Sequence, residues 1–199
     1  YVAAKAGLDV VLIDRDQAAA DKGKAYSVDL TGKDVAKGRL TKEKQDALLA
    51  RIHPTANYAA LADCDLVVEA VFEDRQVKKD VTETIEKHLK KGAIFASNTS
   101  TLPITSLAEN SKAPKNFIGI HFFSPVDKMM LVEIIMGKKT GEKALAVAMD
   151  FVKAIKKTPI VVNDARGFFA NRCVLAYVRE GFLMLGEGVA PSMVERAAT

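Results

Sequence analysis

Two apolar segments of the sequence each contain one ionisable residue, and the spacing between these residues allows them to meet. The segment Ile118–Phe123 carries His121, and the segment Leu131–Ile135 carries Glu133. If the segments pair as a hairpin with their last and first residues opposed, His121 faces Glu133. Directly opposed residues have Cβ atoms about 5 Å apart, so we expect a hydrogen bond between carboxylate and imidazole.

Such a pair has two interpretations. A carboxylate fixes the tautomer of a neighbouring histidine and stabilises its charged form, which suits a general base that takes a proton from an alcohol. Alternatively, the pair is a polar contact that joins two strands. Two matched ionisable residues in apolar strands favour the catalytic interpretation for His121 and Glu133.

Other polar side chains come at the ends of apolar strands. Asn98 and Ser100 follow a strand in the stretch Ser97–Pro103, and Glu73 follows another. Parallel sheets build binding sites at the carboxyl ends of their strands. The alternatives are turn chemistry for Asn98 and Ser100, and an acid in the first turn of a helix for Glu73.

An amide also lies in the apolar stretch that follows the last predicted strand. Asn171 occupies the same face of a predicted helix as Phe168. It is either part of a site or a hydrogen-bond donor between helices.

The elements that position these residues alternate between apolar strands and amphipathic helices. This order predicts a doubly wound Rossmann-type α/β fold with a mostly parallel sheet. A domain boundary is expected after residue 163, with the α/β domain at 1–163 and the beginning of an all-α domain at 164–199. The predicted strands are 9–14, 65–71, 93–97, 118–123, 131–135 and 159–162, and the predicted helices include 16–38, 42–51, 75–90, 142–156 and 168–185.

Asp14 is a candidate for dinucleotide binding. It ends the first apolar strand, where such folds place the acid that binds the ribose 2′-hydroxyl. The glycine-rich turn of these folds precedes that acid by about 20 residues, which would be upstream of Tyr1. We therefore expect the first strand to be missing, a sheet edge to be unpaired and the 199-residue chain to bind NAD weakly. The alternative is that Asp14 caps the following helix.

Composition excludes several other classes of protein. The chain has 199 residues, is 49% hydrophobic and has a net charge of +4. Its lysines are spread along the chain, and the densest group, around Lys78 and Lys87, is typical of a solvated helix face rather than a nucleic-acid site. Cys64 and Cys173 have no metal-type spacing. The sequence predicts a cytoplasmic enzyme with no metal and no membrane span.

Four stretches resemble the 3-hydroxyacyl-CoA dehydrogenase family in order and spacing. They are DLVVEAVFED, FASNTSTLPIT, GIHFFSPVDKMMLVEII and GFFANR. Within the family, ARGFFANR and EGFLMLGEGV are most similar to the dehydrogenase part of the bacterial multifunctional fatty-oxidation protein (α subunit). The resemblance implies oxidation of (S)-3-hydroxyacyl-CoA to 3-oxoacyl-CoA by NAD⁺ in fatty-acid β-oxidation. The alternatives are a monofunctional 3-hydroxybutyryl-CoA dehydrogenase and a non-catalytic structural relative.

The resemblance also implies that the domain at 1–163 binds NAD, and it implies a role for each matched residue. His121 resembles the general base and Glu133 its orienting partner, while Ser100 and Asn171 resemble the residues that hold the substrate oxygens and the histidine. The implied NAD-binding residues are Asp14, Glu73, Lys78 and Asn98, and the implied CoA-binding residues are Ser27, Lys33 and Ser100.

Assembly is implied in the same way. Relatives use the helical domain for a dimer contact, so a homodimer or a multienzyme complex is expected. We also expect the apolar helix 168–185 to pair with a neighbouring copy, and the chain by itself to be catalytically weak.

Overall fold

A computed structural model of the protein describes residues 1–198 as seven strands and eight α-helices. Three short 3₁₀ turns, at Tyr58–Leu61, Ala108–Asn110 and Pro114–Asn116, lie between them. The strands are β1 Val10–Ile13, β2 Ile52–Thr55, β3 Leu66–Glu69, β4 Ile94–Ser97, β5 Phe117–Phe122, β6 Leu131–Met136 and β7 Thr158–Asn163. The helices are α1 Val2–Lys5, α2 Gln17–Ala36, α3 Lys42–Ala50, α4 Arg75–Glu86, α5 Ile104–Leu107, α6 Glu142–Ala154, α7 Ala170–Gly186 and α8 Pro191–Ala198.

The strands form two separate sheets. Strands β1 and β2 pair in parallel, and β3 to β7 form a five-stranded sheet in sequence order. Every neighbouring pair is parallel except β5 and β6, which pair antiparallel. The predicted mostly parallel α/β fold is confirmed. Within residues 1–198, β1 and β2 pair only with each other, and β3 and β7 are the edge strands of the larger sheet.

Two apolar cores cover the two faces of the larger sheet. The alternation of side chains along β5 and β6 assigns each residue to a face. One core contains Ile118, Ile120, Val132 and Ile134 and packs on buried residues of α6. The other contains Phe117, Ile135, Ile104 and Phe168. By the same alternation, His121 and Glu133 belong to this second face, beside α5 and the start of α7.

The long apolar helix begins later than predicted. It starts at Ala170 rather than Phe168, because Gly167 (φ 74°) and Phe168 (φ 49°) are both left-handed. The prediction that Phe168 and Asn171 share a helix face is therefore wrong. Many apolar side chains of α7 are exposed, including those of Leu175 (67%) and Phe182 (68%). None of the helices among residues 1–198 combines the length and apolar character needed to cross a membrane.

Candidate active site

The hairpin of β5 and β6 brings the histidine and the glutamate face to face. His121 is the register partner of Glu133, as predicted from the spacing. Nδ1 of His121 lies 2.8 Å from Oε2 of Glu133. Both side chains are withdrawn from solvent, with 5% of His121 and none of Glu133 exposed. Because a carboxylate only accepts hydrogen bonds, the contact assigns a proton to Nδ1 and leaves Nε2 available to a substrate.

Aromatic rings enclose the imidazole. The ring centroid of His121 lies 4.5 Å from that of Phe123 and 5.9 Å from that of Phe168. Both neighbours are tilted, at 52° and 56°. These apolar rings make the surroundings of the hydrogen bond to Glu133 less polar, and low local polarity strengthens a hydrogen bond.

The second oxygen of Glu133 is bound by the start of α7. Oε1 accepts hydrogen bonds from the backbone N–H of Phe169 (2.9 Å) and of Ala170 (2.8 Å). The first N–H groups of a helix have no partner within the helix, and the helix dipole favours a negative charge there. The left-handed Gly167 and Phe168 turn the chain so that these two N–H groups point at Glu133. Glu133 is thus held by three donors.

Glu73 fixes the loop that carries Ser100. Its Oε1 accepts from the backbone N–H of Ser100 (2.9 Å) and of Thr101 (3.0 Å), and from the Thr99 hydroxyl (2.6 Å). Desolvation raises the pKa of Glu73, but the Thr99 hydroxyl, the Lys78 ammonium and the two N–H groups together lower this pKa to about 2. Glu73 precedes the helix cap Asp74 and contacts the loop, so the alternative of a first-turn helix acid is wrong.

Lys78 is buried against two glutamates, one at the end of β3 and one just after it. It is 2% exposed, and its Nζ lies 3.0 Å from Oε1 of Glu69 and 3.4 Å from Oε2 of Glu73. Glu69, at the end of β3, also accepts a hydrogen bond from the Ser97 hydroxyl at the end of β4. Glu69 carries no role in the sequence-based prediction, although an acid inside an apolar strand was a visible signal.

The two predicted amides bind backbone groups. Oδ1 of Asn98 accepts from the N–H of Phe122 (2.8 Å), which ties the end of β4 to the strand that carries His121. Nδ2 of Asn171 donates to the carbonyl of Ser100 (2.9 Å). Asn171 therefore links α7 to the Ser100 loop rather than to another helix, and the alternative of a bond between helices is wrong.

Two further residues hold loops at the site and were not predicted. Both oxygens of Asp164 accept backbone N–H groups, from Ile104 and from Thr105, each at 2.7 Å. Lys157 donates to backbone carbonyls of the β5–β6 loop, including that of Met129 at 2.6 Å. Burial lowers the pKa of Lys157. Nothing local in the sequence marks either residue, because each partner lies far along the chain.

Asp14 directly follows β1, and Ser27 and Lys33 lie on α2. Asp14 is exposed at the carboxyl end of β1, and its Oδ1 accepts from the N–H of Arg15 (2.7 Å). The cap of α2 is Asp16, whose side chain accepts from Ala19 N–H (2.7 Å), so the alternative that Asp14 caps this helix is wrong. Ser27 is buried (4% exposed), and Lys33 is exposed beside a shallow depression.

Asp14 provides one contact that suits an NAD molecule. The Asp14 carboxylate is exposed at a strand end and has an oxygen free to accept from a ribose hydroxyl. The connection from β1 to α2 runs through Asp14, Arg15 and Asp16 and contains no glycine. The residues described therefore offer a ribose contact there but no glycine-rich cradle for the pyrophosphate.

Residues 1–165 match the family model described as 3-hydroxyacyl-CoA dehydrogenase, NAD binding domain. The chain belongs to the 3-hydroxyacyl-CoA dehydrogenase family. It is 41% identical over 196 residues to a fatty acid oxidation complex subunit alpha from Psychrobacter arcticus, a match that covers 98% of this chain and 27% of the relative. It is also 41% identical over 189 residues to a protein from Deinococcus radiodurans named as a probable 3-hydroxybutyryl-CoA dehydrogenase, covering 95% of this chain and 68% of the relative.

Solved structures of the family share the fold. The (S)-3-hydroxybutyryl-CoA dehydrogenase PaaH1 from Ralstonia eutropha superposes with a TM-score of 0.91 at 36% identity, over 95% of this chain and 67% of that one. The 3-hydroxybutyryl-CoA dehydrogenase from Escherichia coli superposes with a TM-score of 0.90 at 31% identity, over 95% of this chain and 40% of that one.

The comparisons confirm the predicted family and NAD as the cofactor that its domain binds. The predicted similarity to the fatty-oxidation α subunit is shared equally with the monofunctional type, since one relative of each type is 41% identical. The chain spans about a quarter (27%) of the length of the α subunits that it matches.

Proposed function

We propose that this chain is the NAD-binding part of an enzyme that oxidises (S)-3-hydroxyacyl-CoA to 3-oxoacyl-CoA in fatty-acid oxidation, with His121 as the general base. The observation that carries the proposal is the buried pair of His121 and Glu133, joined at 2.8 Å with the glutamate held by two further donors. Family membership supports the reaction, and the geometry supports the assignment of the base.

In this mechanism Nε2 of His121 accepts the proton of the 3-hydroxyl group. The positive charge that develops on the imidazole is stabilised by Glu133, which keeps its hydrogen bond to Nδ1 and does not take up the proton. The three donors on Glu133 limit its rotation, so the imidazole is held in one orientation and one tautomer before substrate arrives.

The bound nicotinamide supplies the acceptor for the hydride that leaves C3 of the substrate. Asp14 would hold the adenosine ribose, and the repulsion between its charge and a 2′-phosphate favours NAD over NADP. Glu73, Lys78 and Asn98 are proposed on the nicotinamide side. Their contacts with the Ser100 loop and with β5 support a role in shaping that surface.

Ser100 and Asn171 are proposed to hold the substrate, and Ser27 and Lys33 to contact its CoA part. The bond between Asn171 and the Ser100 carbonyl places the two residues side by side. The exposed Lys33 has an ammonium group that suits an acidic ligand, whereas Ser27 is buried and could contact CoA only if its surroundings move.

The test measures NADH formation by the full-length protein with 3-hydroxybutyryl-CoA and with a long-chain 3-hydroxyacyl-CoA. We expect activity with at least one substrate and a loss of about 100-fold or more on His121→Gln. His88→Gln, on a different element, is the control and should keep full activity. No NADH from the wild type with either substrate, or near-normal turnover of H121Q, would contradict the proposal.

A preference for the short substrate is the second candidate. It is favoured by the relatives named as 3-hydroxybutyryl-CoA dehydrogenases, one of which superposes with a TM-score of 0.91. The ratio of kcat/KM for the four-carbon and the long-chain substrate separates the two. NAD binding without NADH formation would instead indicate the third prediction, a non-catalytic relative.

The cytoplasmic location, the homodimer or multienzyme complex and the domain boundary at residue 163 stay predictions. The exposed apolar side chains of α7 support an assembly contact. Sedimentation at several concentrations tests this, and a monomer throughout would contradict it.

A further inference from the structure

We infer that Asp164 is a positioning residue for the pair of His121 and Glu133, although it touches neither. This inference rests on the proposed function, because the orientation of His121 matters only if His121 is the base. Asp164 lies in the linker between β7, which ends at Asn163, and α7, which begins at Ala170. That linker delivers the two N–H groups that hold Glu133.

Asp164 fixes one end of the linker to the core. Its two oxygens accept from the consecutive N–H groups of Ile104 and Thr105, both at 2.7 Å. These bonds are shorter than the usual distance of about 2.9–3.0 Å for N–H···O, as expected when the acceptor is charged. The donors open the short helix α5 and have no partner within it. Ile104 is fully buried, so the anchor point is part of the core.

Glu133 fixes the other end of the linker. It accepts from Phe169 and Ala170 in the same way as Asp164 accepts from α5, with one carboxylate on two consecutive N–H groups. Between the two carboxylates the chain passes through Gly167 and Phe168, both left-handed. A left-handed conformation is unfavourable for a residue other than glycine, so it persists only where the surroundings impose it.

Phe168 transmits this constraint to the histidine. Its side chain is 1% exposed, lies in the core with Ile104 and has its ring 5.9 Å from the ring of His121. If the anchor at Asp164 is loosened, the linker can relax away from the left-handed turn. The N–H groups of Phe169 and Ala170 then move from Glu133, and Glu133 gains freedom to rotate away from Nδ1.

The test compares Asp164→Asn with Glu86→Gln. Asparagine keeps one acceptor oxygen but turns an NH₂ donor towards an N–H donor, so one of the two bonds is lost. Glu86 is a matched control because its carboxylate also accepts distant groups, the Ser111 hydroxyl and the Lys112 N–H at 2.8 Å. Glu86 is the last residue of α4. This helix connects the parallel strands β3 and β4, so it starts beside the carboxyl end of β3 and runs back towards the amino ends of the strands.

The first readout is the Nδ1–H signal of His121 in ¹⁵N-edited NMR spectra of the 199-residue chain, which has only three histidines. We expect the wild type and E86Q to show a slowly exchanging Nδ1–H, and D164N to lose it or to show mixed tautomers. In the full-length enzyme, kcat of D164N should fall on the order of 10-fold with KM for NAD unchanged.

Each other outcome decides a different statement. If D164N keeps the wild-type Nδ1–H signal and the wild-type turnover, Asp164 only caps α5 and the inference is wrong. An equal loss in D164N and E86Q would indicate general loosening and would also overturn the inference. If D164N does not fold, Asp164→Glu, which keeps the charge and both oxygens, should shift the signal; an unshifted signal contradicts positioning. An NMR effect in a protein that forms no NADH would reject the proposed function but not the coupling of Asp164 to the pair.

Discussion

The carboxylates around the His121 hairpin are held by many more hydrogen bonds than the carboxylate of Asp14. Near the hairpin, each key carboxylate accepts several hydrogen bonds and is tied to groups from other elements, as Glu133 is to β5 and α7. Asp14 is exposed and accepts one bond from the adjacent residue. The difference indicates that the proton-transfer chemistry is preorganised, whereas the ribose contact is offered on an open surface.

The strands that carry the two groups also differ in pairing and burial. Strand β5 is paired on both sides and almost fully buried, whereas β1 has one partner and partly buried residues throughout. A site between paired, buried strands cannot shift without breaking the hydrogen bonds to the neighbouring strands. A group at the end of a singly paired strand has fewer constraints.

The largest expected effect is on enzyme kinetics, where variants of His121 and of Asp14 should change different constants. His121→Gln should lower kcat of the full-length enzyme by about 10²- to 10⁴-fold, while NAD affinity stays similar. Asp14→Asn should instead weaken NAD binding roughly 10-fold, since it removes a charged hydrogen-bond acceptor. Steady-state kinetics with varied NAD measures both. The comparison fails if both variants change the same kinetic parameter.

The next effect concerns stability. Glu133→Ala removes a fully buried carboxylate and leaves the His121 ring and the N–H groups of Phe169 and Ala170 without their acceptor. Leaving buried hydrogen-bond donors without an acceptor costs about 1–3 kcal/mol each, and urea unfolding measures the resulting loss of stability. Asp14→Ala, on the exposed strand end, should leave the urea midpoint almost unchanged. Equal midpoints for the two variants would show that the buried network adds no stability.

A smaller effect tests the packing behind the hairpin. A Cβ on Gly119 in β5 would lie 2.8 Å from side-chain carbons of Ile104 and from Cβ of Ile135. Gly119→Ala should therefore destabilise the fold by about 1–3 kcal/mol through overpacking. Gly186→Ala, at the end of α7, has nothing within 4 Å and serves as the control. Alanine favours the helix there, so the unfolding midpoint of G186A should stay the same or rise. An unchanged unfolding midpoint for G119A would mean that β5 can shift enough to accommodate the added methyl group.

The smallest effect is a change in pH dependence. The pKa of Glu73 is about 2 in the folded protein, below its usual value of 4.5. A lowered pKa contributes stability that is present above the unfolded-state value and is lost as pH falls through the folded value. Unfolding midpoints should thus decline between about pH 4.5 and pH 2, and Glu73→Gln should decline less in this window. Because Glu73 is partly exposed, solvent screening keeps the difference small. Parallel curves for the two proteins would contradict the assignment.

Much of the fold could be predicted because its signals are local. Apolar runs bounded by turns predicted the strands, and the constant register of an antiparallel pair was enough to place His121 opposite Glu133 from their spacing alone. The start of α7 was predicted wrongly, because the left-handed Phe168 has no signal in a stretch of helix-compatible residues. Its conformation is imposed by burial between elements that are distant in the chain.

The candidate site divides in the same way. Residue types alone selected His121, Glu133, Ser100 and Asn171 as chemistry-bearing positions, and the motifs around them indicated the family. The contact between His121 and Glu133 was predicted, but other partners could not be: Asn171 binds the Ser100 carbonyl, and Glu73 binds the backbone of the Ser100 loop.

The sequence by itself determined the order of strands and helices, the register of the β5–β6 hairpin and the membership of the family, because these depend on periodicity and on residues close along the chain. Only the tertiary structure decided how the site is held. Asp164 reaches across 60 residues to Ile104 and Glu133 reaches across 36 to Phe169. Such contacts exist only once the sheet, α5 and the linker before α7 have packed around the same core, and no local pattern specifies which donors a buried carboxylate will meet there.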